Sequence, residues 1–238
     1  MARTNKMEYI TVASEGNVTD FGDLSAATQG ANAVSSSTRG VHIGGAQSGG
    51  VYGVNTMEYI TIDTTGNMTD FGDVDETVTN HAGGMMSSTR GVWAGGNRRS
   101  GLDSNDETIS YITIASTGNS TDFGDATIGA QMVDGSGNST YGMWSGGGTA
   151  EGNNVAIDYI TIASAGNASD FGDMRAFYGQ VCCTSNSTLV VWFTANNLNT
   201  IDYSTIASAG NTADFGDTTE VKKGSSGGAL CGGHGGVV

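Results

Sequence analysis

Short stretches in which apolar and polar residues alternate follow one another along the chain and are separated by glycine, asparagine and serine. The segment Tyr-Ile-Thr-Ile at 59–62, for example, consists of aromatic and β-branched residues. Gly66-Asn67 supplies turn residues, and Met-Thr-Asp-Phe at 68–71 returns to a strand-like composition. Two such stretches joined by a glycine-asparagine turn predict a β-hairpin.

This hairpin phrase occurs five times. In every copy the first aromatic residue lies twelve residues before a phenylalanine, with no insertion between them: Tyr9 and Phe21, Tyr59 and Phe71, Tyr111 and Phe123, Tyr159 and Phe171, Tyr203 and Phe215. The last copy departs from the phrase at Ser204 and Ala213. Self-similarity of this kind indicates a repeat architecture.

A second hairpin pattern lies between the copies. It is clearest at Ser35–Gly45, recurs at Ser87–Gly96 and is degenerate at Ser139–Gly147, and each copy ends in paired glycines. The two hairpins together give four short strands in about 50 residues, which is the size and content of a β-propeller blade.

The repeat lengths predict a closed ring. The chain begins with the third and fourth strands of one blade and ends where the first two strands of that blade are expected, so pairing of the N- and C-terminal strands would remove two exposed sheet edges. We expect a single all-β domain, a five-bladed β-propeller over residues 1–238 with four antiparallel strands per blade. Its blades are expected at approximately 218–238 plus 1–23, 24–73, 74–125, 126–173 and 174–217.

Composition favours a packed, turn-rich β protein over a disordered one. The chain has 39 Gly and no Pro, and only 14% of its residues are charged, whereas disordered segments are usually highly charged and poor in aromatic residues. Glycine and other small residues are expected where sheets approach closely. The repeated Tyr and Phe are expected to pack between blades.

Charge and hydropathy argue against two classes of partner. The 24 acidic and 9 basic residues give a net charge of −15, and the basic residues cluster no further than Arg98-Arg99 and Lys222-Lys223, so nucleic-acid binding is not expected. The longest apolar run, Leu189–Phe193, has five residues, and the N-terminus lacks the apolar core of a signal peptide. We therefore expect neither membrane insertion nor classical secretion.

Catalysis is not expected either. His42, His81 and His234 lie in three different repeat contexts, and no Ser/His/Asp or Cys/His set is indicated. Three cysteines, Cys182, Cys183 and Cys231, make no metal-ligand spacing and are expected to be buried free thiols. The prediction is a non-enzymatic protein without a cofactor.

The aspartates of the Thr-Asp-Phe-Gly-Asp phrase, such as Asp70 and Asp73, leave two roles open. Such ladders could gather Ca²⁺ through carboxylate and carbonyl oxygens. Asp beside Gly also commonly bonds backbone N–H groups in turns, and recurrence in every copy favours this structural role.

The loops after the paired glycines carry most of the length variation between repeats, at 46–56, 97–109, 148–157 and 195–200. In an antiparallel blade these loops share one face of the ring, the variable face, with the connections to the next blade. Loops that differ in length and charge on a rigid scaffold can carry binding specificity, although they can also vary without any ligand. The candidate ligand- or partner-binding residues are Tyr52, Arg98, Arg99, Asp103, Asp106, Asn153 and Asn197.

The opposite face, which we call the uniform face, holds the turns between strands one and two and between strands three and four. Their lengths and residues hardly change between repeats. Arg39 and Arg90 are the candidate docking residues of this face, if their side chains are exposed.

The order of an apolar strand ending in Gly-Gly, a variable loop, a Tyr and an aromatic residue further on resembles the kelch motif, with Phe where kelch repeats usually carry Trp. The longer phrase Tyr-Ile-Thr-Ile-Ala-Ser-x-Gly-Asn-x-Thr-Asp-Phe-Gly-Asp, followed by Ser-Ser-Ser-Thr-Arg-Gly-Val, resembles repeats in virion structural proteins of marine bacteriophages, notably cyanophages. The resemblance covers essentially the whole chain.

This resemblance implies a virion location, on the phage tail or capsid surface after assembly in the host cytoplasm, with other virion proteins as partners. The leading hypothesis is a tail-fibre, spike or decoration module that binds a host-surface glycan or protein through the variable face. The alternatives are a purely structural virion adaptor that docks through the uniform face and a glycan-processing propeller enzyme. The oligomeric state is left open.

Overall fold

The computed structural model describes residues 4–11, 13–47, 53–79, 83–98, 106–149, 152–176, 179, 181–194 and 198–222. Their regular elements are β-strands, as the alternating pattern predicts. Within these residues there is no helix with the length and apolar character that crossing a bilayer requires.

The strands form five antiparallel sheets, numbered here in chain order. Sheet 1 consists of β1 (Thr4–Tyr9), β2 (Thr19–Gln29) and β5 (Ala46–Gln47). Sheet 2 consists of β3 (Asn32–Ser35), β4 (Arg39–Ile43), β6 (Val54–Thr61), β7 (Thr69–Thr79) and β10 (Asn97–Arg98). Sheet 3 consists of β8 (Gly83–Met86), β9 (Arg90–Ala94), β11 (Thr108–Thr113) and β12 (Thr121–Asp125).

Sheets 4 and 5 repeat the same four-stranded order. Sheet 4 consists of β13 (Asp134–Gly137), β14 (Tyr141–Ser145), β17 (Ala156–Thr161) and β18 (Ser169–Asp173), beside a ribbon of β15 (Gly148–Thr149) and β16 (Gly152–Asn153). Sheet 5 consists of β19 (Val181–Ser185), β20 (Leu189–Thr194), β21 (Leu198–Thr205) and β22 (Ala213–Lys222). The two predicted hairpins of each repeat are therefore confirmed in sheets 2 to 5, and sheet 1 contains the predicted third and fourth strands.

The hydrophobic core lies between consecutive sheets. Val41, Met57 and Phe71 of sheet 2 pack in one cluster with Trp93 and Ile112 of sheet 3. Corresponding clusters join sheet 3 to sheet 4 and sheet 4 to sheet 5. The expected packing of the repeated aromatic residues between sheets is thus confirmed at Phe71, Phe123 and Phe171.

The first strands of consecutive sheets approach closely: β3 contacts β8, β8 contacts β13, and β13 contacts β19. A Cβ atom added at Gly84 would lie 2.8 Å from the Ala33 carbonyl oxygen, and one added at Gly83 would lie 3.1 Å from the Gly135 nitrogen. Glycine is therefore required on these strands because a neighbouring backbone occupies the space of a side chain.

A β-bulge recurs where the third and fourth strands of each repeat pair. In sheet 2, Met57 pairs with Gly72 and Glu58 pairs with Asp70, so Phe71 is the extra residue. The same register shift occurs at the equivalent residues of the other four sheets. The glycine after each bulged phenylalanine has a φ between 139° and 149°, a conformation that favours glycine.

The C-terminal strands that are predicted to complete the sheet of β1 and β2 fall within residues 223–238, which lie outside the described residues.

Candidate functional site

The glycine-asparagine turn of each sheet docks on the bulge of the preceding sheet. The Gly66 N–H donates to the Phe21 carbonyl at 2.7 Å, and the Met68 N–H donates to the Asp23 carbonyl at 2.9 Å. The Asn67 side-chain oxygen accepts from the Asp23 N–H at 3.0 Å. We call these three hydrogen bonds the Gly-Asn clamp.

The clamp is formed at four junctions, from sheet 1–sheet 2 through to sheet 4–sheet 5. At the other three junctions, the equivalent backbone hydrogen bonds measure 2.6–2.9 Å and the asparagine bonds, from Asn119, Asn167 and Asn211, measure 3.0–3.1 Å. The constant spacing of the hairpin phrase has a physical cause, since an insertion would move the turn away from the bulge.

The two halves of a fifth clamp lie at the ends of the array. Gly16 and Asn17 of sheet 1 are exposed, and among the described residues no hydrogen bond joins them to Phe215 or Asp217 of sheet 5. The exposed fraction of Phe215 is 57%, against 2% for Phe71 and 4% for Phe171. The described array therefore has an unoccupied turn at one end and an unoccupied bulge at the other.

Arg39 and Arg90 join neighbouring sheets instead of offering a free docking surface. The Arg39 guanidinium lies 4.3 Å from the centre of the Tyr59 ring, and its Nη1 donates to the Ile114 carbonyl of the next sheet at 2.9 Å. Arg90 lies 4.4 Å from the Tyr111 ring centre and donates to the Ile162 carbonyl at 2.9 Å. Both side chains hold the uniform face together, and the exposure on which their predicted docking role depended is only partial.

Replacing Arg90 with alanine should lower the free energy of unfolding by about 2 kcal/mol, because a cation–π contact and a charge-assisted hydrogen bond are lost together. Urea denaturation of the wild type and the variant measures the change. Arg90→Lys keeps the charge but not the planar donor, so it should recover part of the loss. An unchanged midpoint in Arg90→Ala would show that the junction does not depend on this side chain.

Two loops of the variable face are anchored to the preceding sheet. Gln47 of β5 pairs with Thr28 of β2, and Arg98 of β10 pairs with Val78 of β7. The paired glycines before these strands have positive φ, for example 73° at Gly95 and 84° at Gly96. This sharp turn redirects the chain from the second strand of its own repeat to the fourth strand of the previous one.

The predicted site residues are only partly described. Arg98 lies in β10 and Asp106 lies shortly before β11, so both belong to one loop, while Asn153 lies in β16 of the next repeat. Asp106 is half-buried, and its Oδ1 accepts from the Thr108 N–H at 2.8 Å, which is a local turn contact. The other predicted site residues lie outside the described residues: Tyr52, Arg99, Asp103 and Asn197.

Buried carboxylates at the residue before the repeat tyrosine, present in three of the five copies, were not anticipated from the sequence. Glu58 Oε1 accepts from the Ser25 N–H at 3.2 Å, and Asp158 accepts from the Thr127 N–H at 2.9 Å. The Oδ1 atom of Asp202 lies 2.9 Å from Nη2 of Arg175. Each carboxylate thus contacts the residue two positions after the Phe-Gly-Asp of the preceding sheet, and burial raises the pKa of Asp158.

The aspartates of the repeat phrase make local turn contacts. Asp122 accepts from the Gly124 N–H at 3.1 Å, and Asp170 accepts from the Gly172 N–H at 3.0 Å. These hydrogen bonds span the bulge, and they support the structural role of the aspartates. Among the described residues no group of three or more His, Cys, Asp or Glu is placed to hold a metal ion, and Ca²⁺ binding stays an untested alternative.

Cys183 is buried and Cys182 is half-buried, and both are free thiols. Burial raises the pKa of both, which disfavours the reactive thiolate. Cys231 lies outside the described residues.

His42 occupies the repeat position that holds Trp93, Trp144 and Trp192 in later sheets. Its Nε2 lies 3.3 Å from the Thr28 hydroxyl, and burial lowers its pKa below the usual 6.5. As the pH falls below 6.5, His42 therefore becomes protonated in the unfolded chain before it does so in the folded protein. The free energy of unfolding decreases over this pH range.

Between pH 7 and pH 5, the wild type should lose more stability than His42→Gln, by up to about 1.4 kcal/mol for each pH unit over which His42 stays neutral in the folded state. Urea denaturation at several pH values measures both proteins, and the difference between them removes the effect of the many carboxylates. Parallel pH profiles would show that His42 contributes no pH dependence.

Comparison of the sequence with protein-family models and with curated proteins gives no match. A function must therefore be argued from the residues and their geometry.

Proposed function

We propose that this chain is a non-enzymatic structural protein of a bacteriophage virion that binds a host-surface glycan or protein through its variable face, as a tail-fibre, spike or decoration module. The observation that carries the proposal is the contrast between constant and variable parts of the repeat. The clamp recurs at four junctions and a hydrophobic core at three of them, while two loops of different length and charge are attached beside them at equivalent anchor points. A rigid array with differing loops suits recognition.

The finer architecture in this proposal is a closed five-bladed kelch-like propeller. Three observations support it: consecutive sheets pack face to face, their first strands lie close together, and the two ends carry complementary halves of a fifth clamp. Joining Gly16-Asn17 to Phe215-Asp217 would give each sheet two neighbours. Closure would also bury the Phe215 side chain, whose exposed fraction is 57% when the two ends are not joined.

The binding chemistry follows from the loop residues. The loop between β10 and β11 contains Arg98, Arg99, Asp103 and Asp106, and neighbouring loops add Tyr52, Asn153 and Asn197. Guanidinium, carboxylate and amide groups hydrogen-bond to sugar hydroxyls or to a protein surface, and Tyr offers an apolar face with a polar tip. Buried carboxylates such as Asp158 and Asp202 are engaged in contacts between sheets, which favours binding over glycan processing.

The test is binding of the purified protein to intact cyanobacterial cells and to a glycan panel. In one variant, residues 99–105 are replaced by a Gly/Ser segment of equal length, which leaves β10 and β11 in place. In a matched control, Ser116 and Thr117 in an exposed turn of the uniform face are replaced by Gly and Ser. Saturable binding that is lost in the loop variant and kept in the control is expected.

Absence of saturable binding by the folded wild type would contradict recognition through the variable face and favour the structural adaptor. Loss of binding in both variants at unchanged thermal stability would assign binding to the uniform face. Turnover of any glycan in the panel, lost on substitution of a single residue, would instead establish the enzyme.

A further inference from the structure

A cleft of about 360 Å³ opens between sheets 1 and 2 on the uniform face. Tyr9 and Phe21 of sheet 1 line one side, and Ile60, Ile62 and Asp63 of sheet 2 line the other. The exposed fraction is 41% for Tyr9 and 40% for Ile62, so the cleft is open to solvent.

The same position is filled by an arginine at the next two junctions. The Arg39 guanidinium lies over Tyr59 and donates to the Ile114 carbonyl, and Arg90 lies over Tyr111 and donates to the Ile162 carbonyl. The ring pair beneath each guanidinium is edge-on, and the Tyr9–Phe21 pair has the same arrangement, with its ring centres 5.9 Å apart. By repeat position, the carbonyl that corresponds to Ile114 and Ile162 is that of Ile62.

The cleft also has a carboxylate at a position where the other copies have none. Asp63 stands at a position that is alanine in the other four copies, namely Ala13, Ala115, Ala163 and Ala207. Glu8 lines the cleft as well. Two carboxylates beside an aromatic face complement a planar cation.

Three arginines of the described residues are engaged in other contacts. Arg39 and Arg90 fill the next two junctions, and Arg175 lies 2.9 Å from Asp202. Arg98 lies in β10, which pairs with the variable-face end of β7, and no arginine follows Arg175 in the sequence.

We propose that this cleft binds an arginine side chain presented by a partner protein. The guanidinium stacks on Tyr9, donates to the Ile62 carbonyl and pairs with Asp63, which reproduces the contacts of Arg39 and Arg90. This inference does not rest on glycan binding, because the cleft and the variable loops lie on opposite faces. It gives the uniform face a partner of defined chemistry, namely a protein that presents an arginine side chain.

Titration of ¹⁵N-labelled protein with N-acetyl-L-arginine amide, followed by amide NMR shifts, tests the proposal. Saturable shifts are expected at Tyr9, Ile62 and Asp63. Asp63→Ala, which restores the residue of the other copies, should weaken binding about threefold or more. Tyr9→Ala should abolish it, and N-acetyl-L-lysine amide should bind more weakly because it lacks the planar donor.

Arg90→Ala provides a matched positive control within the same chain. Removing this side chain vacates an equivalent cleft between Tyr111 and Ile162, so the variant should gain a second site for the arginine amide. A second site in Arg90→Ala without saturable shifts at Tyr9 in the wild type would overturn the proposal. Equal affinity for the lysine amide, or binding unchanged by Tyr9→Ala, would overturn it too.

Discussion

Replacing Gly72 with alanine is expected to lower the free energy of unfolding by about 3 kcal/mol or more, because two costs combine. Its φ of 139° is strained for any residue with a Cβ atom. That Cβ atom would also lie 2.5 Å from the Gly118 carbonyl oxygen, within the clamp that joins sheets 2 and 3. Urea denaturation followed by near-ultraviolet circular dichroism measures the loss.

Gly66→Ala is the matched control, because Gly66 lies on the same hairpin and belongs to the neighbouring clamp. A Cβ atom added there meets nothing within 4 Å, and the Gly66 N–H can still donate to Phe21. The expected loss is below about 1 kcal/mol. Equal losses in the two variants would mean that the close approach at the bulge does not determine stability.

Phe171→Ala should cost about 3–5 kcal/mol, as truncation of a buried aromatic core residue usually does. Phe171 packs in the cluster between sheets 4 and 5 with Met143 and Ile206, and its ring centre lies 5.6 Å from that of Tyr159. Thermal and urea denaturation of the purified variant provide the measurement.

Phe215→Ala extends this prediction to the ends of the array. If Gly16-Asn17 docks on the sheet 5 bulge in solution, Phe215 is buried like Phe171, and its truncation should cost within about 1 kcal/mol of the same amount. If the ends stay apart, an exposed ring contributes little and the loss should be below about 1 kcal/mol. The second result would argue against a closed ring.

The strands could be predicted because their signals are local. Period-two alternation and a Gly-Asn turn fix a hairpin within about 15 residues, and repetition defines the sheets. The clamp could not be predicted in the same way, because it joins Asn67 to Asp23 across two sheets. In the sequence, the clamp was indicated by the constant spacing of twelve residues between Tyr59 and Phe71 and between the equivalent residues of the other copies.

Charged residues were the least predictable part. Arg39 and Arg90 lie in turns whose composition suggested exposure, but each guanidinium is used across a junction. The buried carboxylate of Asp158 is equally hidden in the sequence, because its partner Thr127 belongs to the preceding sheet. Whether a charged side chain is exposed or bonded depends on residues of the neighbouring sheet. The sequence pattern within one repeat does not specify those residues.

The candidate site was likewise predicted only in part. Loop variation predicted the variable face, and the anchoring of Arg98 on β7 shows how a loop is held there. The cleft at Tyr9 was missed because its signal is a difference between copies. Only when the repeats are superimposed does Asp63 stand out against four alanines, and only the structure shows that no arginine of the described residues fills that junction.

The closed ring is tested most directly by linking its two ends. Asn17→Cys and Asp217→Cys are introduced together into a variant whose three native cysteines are serine, and the dilute protein is treated with a short bismaleimide. Asn17→Cys with Asp125→Cys, a position already covered by the Asn167 clamp, serves as the control pair. Closure predicts an intramolecular cross-link in the monomer for the first pair alone; cross-links between chains, or monomers modified at each cysteine without a link, would contradict it.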